Sequence, residues 1–97
     1  TESISAGLDY PGVSPIHCFL KDTKRARYTY VTDEAALHAY KMVTKFEKIN
    51  PSLEPSHAFA EAIKIAPKLS KDTILIVNSC GDAKKDRDII KKRLGNY

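Results

Sequence analysis

Polar and apolar positions along this chain alternate at helical spacing in three places. After Thr32-Asp33-Glu34, apolar side chains recur at Ala36, Ala39, Val43 and Phe46, with Leu37 and Tyr40 beside them. Steps of three and four residues put them on one face of a helix of about three to four turns. Thr32 offers a capping hydroxyl, and the acids after it meet the positive end of the helix dipole. Ile49-Asn50-Pro51-Ser52 interrupts this pattern. A second helix then has Pro55 near its first position, the stripe Phe59, Ala62, Ile63 and Ala66, and a stop at Pro67. Its small residues Ala58, Ala60 and Ala62 allow another element to come close. A last helix over 86–94 turns Ile89, Ile90 and Leu94 inward and ends at Gly95. Ser14-Pro15 opens a shorter helix through His17, Cys18, Phe19 and Leu20.

Two stretches read as strands. Residues 28–32 are aromatic and β-branched. Residues 73–78 are apolar at consecutive positions, which predicts burial on both faces, as in a parallel sheet covered by helices. Before Ser14 there is no period, only the punctuation of Gly7, Pro11 and Gly12. The fold expected is therefore α/β, with about four helices and two short strands near 28–32 and 73–78. A strand buried on both faces needs neighbours, and one other short strand is too few. Residues 1–97 thus read as a single partial domain of a larger chain.

Composition narrows the class. Ninety-seven residues, 42% apolar and 29% charged, suit one small globular core. The longest apolar run, Ile74-Leu75-Ile76-Val77, is too short to span a membrane. No basic segment followed by an apolar one opens the chain, so no secretory signal is expected. Cys18 and Cys80 cannot build a disulfide framework, and a reduced, cytoplasmic protein is the expectation. Of the sixteen basic residues, ten fall within 21–27 and 84–93. Such clusters can serve a polyanion, so a small nucleic-acid-binding module is the alternative reading. The chain has no aromatic RNA-recognition signature and no zinc-finger spacing, and solvated helix faces account for the clusters better.

Ser79, Cys80 and Gly81 sit where open α/β sheets place ligands, at the C-terminal end of a strand. Gly81 permits close backbone approach, and the next helix offers free N–H groups to a ring or an anion. From position alone, an ordinary strand-to-helix turn is the better account. Cys80 has no neighbouring base to make it a nucleophile. In Glu54-Pro55-Ser56-His57, Ser56 or Glu54 caps a helix and His57 packs on it; adjacent helical residues do not form a catalytic pair. The three histidines and Cys18 lack metal-ligand spacing, and no glycine-rich phosphate loop is present.

Three blocks together resemble the C-terminal part of the tryptophan synthase beta chain family. They are Ser3-Ile-Ser-Ala-Gly-Leu-Asp-Tyr-Pro-Gly-Val13, Thr32-Asp-Glu-Ala35 with its helix, and Pro51-Ser-Leu-Glu-Pro-Ser-His-Ala58. Their order and separations match, and the resemblance covers essentially the whole chain. It implies a fold type II enzyme that uses pyridoxal 5′-phosphate to join indole to L-serine, giving L-tryptophan and water. It also implies a beta–beta homodimer and an alpha-chain partner, with no membrane and no nucleic acid.

By position, the resemblance puts Glu54 beside the cofactor ring with Gly7 facing it, and Asp9 in the loop that shapes the closed substrate site. Backbone carbonyls of Tyr10 and Gly12 would help hold a monovalent cation. The family serine that meets the pyridine nitrogen aligns with Cys80, and Ser79 is the neighbouring alternative. The segment Cys80-Gly-Asp-Ala-Lys-Lys-Asp86 lacks the arginine and second glycine usual in the family. The family's Schiff-base lysine, catalytic glutamate and phosphate cradle lie upstream of the matched region. The 97 residues alone are therefore expected neither to bind the cofactor covalently nor to catalyse. A non-catalytic paralogue is a further alternative.

Overall fold

In the computed structural model, residues 2–95 are described. Among them are four α-helices: α1 (Pro15–Asp22), α2 (Asp33–Glu47), α3 (Leu53–Ile65) and α4 (Arg87–Leu94). Short 3-10 helices occupy Ala6–Leu8, Ala66–Lys68 and Ala83–Asp86, the last leading directly into α4.

α2 starts as its sequence predicts. The Thr32 hydroxyl accepts the Ala35 N–H at 3.2 Å, and Asp33 and Glu34 fill the first turn. Ala36, Leu37, Ala39, Tyr40 and Val43 are buried. Phe46 is not: in the last turn it stays 65% exposed, so the buried stripe is a turn shorter than the spacing implies. The helix stops at Lys48, whose φ of 61° is left-handed, a conformation that costs a non-glycine residue roughly 1–2 kcal/mol.

α3 packs on α2 as the principal helix pairing. Pro55 is its third residue, where the first-turn N–H has no intrahelical acceptor and proline loses nothing. The expected stripe is only partly realised. Burial concentrates at the N-terminal end, at Leu53, Pro55 and Ser56, while Ile63 and Ala66 are exposed. The core joins Leu37 and Tyr40 of α2 to Leu53, Ala83 and Ile90, with Ile4 and Leu94 packed against it. Of the inward residues expected in α4, Ile90 is buried, Leu94 half-buried and Ile89 37% exposed. Gly95, at φ 74°, ends the helix and donates its N–H to Lys91 O at 2.8 Å.

The expected strands do not form. No strand occurs among the described residues, so the molecule is helical rather than α/β. Residues 28–32 and 73–78 follow irregular paths, and Ile74 and Ile76 are 86% and 87% exposed rather than buried on both faces. The reason is that a strand is a paired object: its N–H and C=O groups need a neighbouring ladder, and no partner strand is present here. α1 buries no residue. It is tied to residue 28 by a hydrogen bond between His17 Nδ1 and the Tyr28 hydroxyl at 2.8 Å, the two rings meeting edge to face. No helix among the described residues is long and apolar enough to cross a membrane.

Candidate functional site

The best-defined polar cluster lies where the N-terminal segment, the start of α3 and the residues before α4 meet. At the α3 start, Ser52 occupies the cap position without making a cap bond. Its hydroxyl instead donates to the Cys80 carbonyl at 3.0 Å. Asp86 supplies the missing acceptor, its Oδ2 taking the Leu53 N–H at 2.9 Å. A carboxylate here also meets the positive end of the α3 dipole. The Ala83 N–H donates to Asn50 O at 3.0 Å, so residues 50–54 and 80–86 lie together along their length. Gly81, at φ 73°, lets the chain turn there, and a Cβ on it would lie 3.4 Å from Ser52 Oγ.

Glu54 is the centre of the cluster. Its Oε1 accepts the Gly7 N–H at 2.9 Å, and Lys85 Nζ lies 2.8 Å from Oε2. Lys85 also lies 2.8 Å from Asp86 Oδ1, so one ammonium joins two carboxylates. A Cβ on Gly7 would fall 2.7 Å from Glu54 Oε1 and 2.8 Å from its Cγ, which explains the glycine. Burial alone would raise the Glu54 pKa, but the Lys85 ammonium and the Gly7 N–H outweigh it and hold it at about 2. Burial alone would lower that of Lys85, but the carboxylates of Asp86 and Glu54 hold it above its ordinary value. The Ser5 hydroxyl, fully buried, lies next to Glu54 but outside hydrogen-bonding geometry.

Of the residues singled out from the sequence, Gly7 and Glu54 are thus in direct contact. Ser79, Cys80 and Gly81 are held nearby through their backbone, with the Ser79 and Cys80 side chains exposed. Asp9, Tyr10 and Gly12 lie on an exposed segment. The expected cap at Ser56 or Glu54 is not made: the Ser56 hydroxyl donates to Ser52 O at 2.8 Å, and Asp86 caps in its place. His57 packs on its own helix, with Nδ1 2.7 Å from Leu53 O. Among the described residues no group of histidine, cysteine or acidic side chains could hold a metal ion.

Ser79 and Gly81 border one cavity of about 590 Å³, together with Tyr40, Lys84 and Arg87. Glu54 borders a different one of about 820 Å³, with Tyr30, His57 and Leu75. Among the described residues, Ser79 and Gly81 thus border a different cavity from Glu54.

No family model matches the chain. Individual relatives do, over nearly its whole length. It is 52% identical over 95 residues, 98% of the chain, to the tryptophan synthase beta chain of Bordetella petrii. Against the tryptophan synthase beta chain of Cereibacter sphaeroides it is 53% identical over 93 residues, and against that of Allorhizobium ampelinum 52% over 93, each 96% of the chain. The chain is thus similar in sequence to a part of these tryptophan synthase beta chains. It spans about a quarter of the length of these relatives, 24% of the first and 23% of the other two. Sequence reasoning missed Lys85, Asp86 and Ser52 in this stretch of the chain. Lys85 reads as one more member of a basic run, and Asp86 as a first-turn acid of its own helix. Ser52, beside Pro51, was visible as a helix boundary, but its actual acceptor lies 28 residues away.

Proposed function

We propose that the chain is the C-terminal part of a cytoplasmic tryptophan synthase beta chain whose whole condenses indole with L-serine to L-tryptophan and water. The observation that carries this is identity of about half, sustained over 98% of the residues. Pyridoxal phosphate, bound mainly by the rest of the parent, supplies the electron sink for loss of the serine hydroxyl. This chain's share is structural and electrostatic. Glu54, fixed as an anion, and Gly7 form one edge of the ring site. The turn carrying Ser79 and Cys80 offers a neutral partner to the ring nitrogen, and Asp9 belongs to the loop that shapes the substrate site. The carbonyls of Tyr10 and Gly12 join a monovalent-cation site. A homodimer and an alpha-chain partner complete the assembly. With Glu54 charged throughout the neutral range, it orients rather than carries protons.

The test is a graft of residues 1–97 in place of the matching quarter of the Bordetella petrii beta chain. Tryptophan formation from indole and serine is expected. A folded, cofactor-loaded but inactive graft would instead favour the non-catalytic paralogue. The 97 residues alone should give no stoichiometric adduct on reconstitution with pyridoxal phosphate and borohydride reduction.

A further inference from the structure

Three segments far apart in sequence meet at one ammonium group. The Gly7 N–H reaches Glu54, Glu54 reaches Lys85, and Lys85 reaches Asp86, which in turn takes the Leu53 N–H. Because Leu53 and Glu54 are consecutive, the contacts Lys85–Glu54 and Asp86–Leu53 close a ring between two adjacent residues of α3 and two adjacent residues of the 3-10 turn. Such a doubly fastened ring fixes orientation as well as distance. Without Lys85, Glu54 and Asp86 would face each other as like charges across this ring.

We propose that Lys85 is a positioning residue that holds the Gly7 segment and the Cys80 turn in register with the N-terminal end of α3. It acts through Glu54 on one side and through Asp86 on the other. The charged groups facing Glu54 are Lys85 and Asp86; Asp82 is occupied with the Lys84 N–H at 2.8 Å. The inference goes beyond the family reading. Where that reading holds, Gly7, Glu54 and Cys80 are the positions assigned to the coenzyme ring, and Lys85 sets their mutual placement without touching it.

The test is made on the 97-residue chain with no cofactor, so its failure leaves the family reading standing. In nuclear magnetic resonance spectra of the wild type, the Gly7 amide should titrate with Glu54, at a midpoint of about 2. In Lys85→Met, that midpoint should rise toward the ordinary carboxylate range. Gly7 exchange protection should fall by about tenfold or more, the scale of one charged hydrogen bond. Lys85→Arg should restore both. A folded Lys85→Met chain that keeps the low midpoint and the protection overturns the proposal. If Lys85→Met does not fold, carbon-detected spectra of the wild type through the alkaline titration of Lys85 decide it. Glu54 Cδ and the Cys80 carbonyl carbon moving together support the proposal, and a stationary Cys80 signal overturns it.

Discussion

Glu54 and Gly7 set the finest scale at which this molecule can be perturbed. In Gly7→Ala the added methyl overlaps Glu54, whose side chain is already held by Lys85 and cannot yield without breaking a contact. A loss of about 1–2 kcal/mol is expected in urea denaturation, the scale of one hydrogen bond left unmade. The pH dependence has a definite sign. The Glu54 pKa is lowered on folding from 4.5 to about 2, so its contribution is fully present above pH 4.5 and is lost as pH falls toward 2. It amounts to a few kcal/mol at most, because Lys85 is half exposed and water screens the pair. Urea midpoints measured from pH 6 down to pH 2 should fall steeply for the wild type and more gently for Glu54→Gln. Glu54 was legible in the sequence only through a motif. Nothing in a 31-residue separation announces that Lys85 is its partner.

At the scale of elements, local chemistry and long-range chemistry divide the helices between them. α2 carries its own cap, so Thr32→Ala should cost about 1 kcal/mol, seen as a lower thermal midpoint with no change in the α3 amides. α3 borrows its cap. Asp86→Ala removes an almost fully buried carboxylate that serves both Leu53 and Lys85 and should cost about 3 kcal/mol or more. Amides at the start of α3 should lose protection first. This contrast explains what the sequence revealed. α2 was readable because period, cap and stop are all local signals. The N-terminal end of α3 is misread because Ser56 and Glu54 look like cap residues, while the Ser56 hydroxyl serves the Ser52 carbonyl and the Glu54 carboxylate serves Gly7 and Lys85. The strand at 73–78 was read correctly for its apolar character and wrongly for its state, since pairing is a property of neighbours, which composition does not contain.

Over the whole molecule the shape is flat and open. Principal extents are 44 × 37 × 20 Å, and the radius of gyration is 14.4 Å, against about 12–13 Å for a compact domain of this length. The looseness is located: Ile74 and Ile76 project from the irregular segment, and Ile16 and Phe19 of α1 are exposed as well. Exposed large apolar side chains of this kind favour association where they lie together. Ile74→Lys with Ile76→Lys should leave the stability of the isolated chain within about 0.5 kcal/mol, because neither side chain is buried. The same change should reduce self-association in light scattering, and in the grafted parent it should be severely damaging if the segment enters a sheet there.

The borrowed cap of α3 also has a temporal side. Leu53 waits for Asp86, 33 positions further on, before its N–H is satisfied. A nascent chain emerging residue by residue therefore has α2 complete while the first turn of α3 is still fraying, and the helix is secured only as the C-terminal turn leaves the ribosome. A peptide arrested just before Asp86 should show a native α2 and a ragged α3, so that a segment translated later stabilises a helix translated before it.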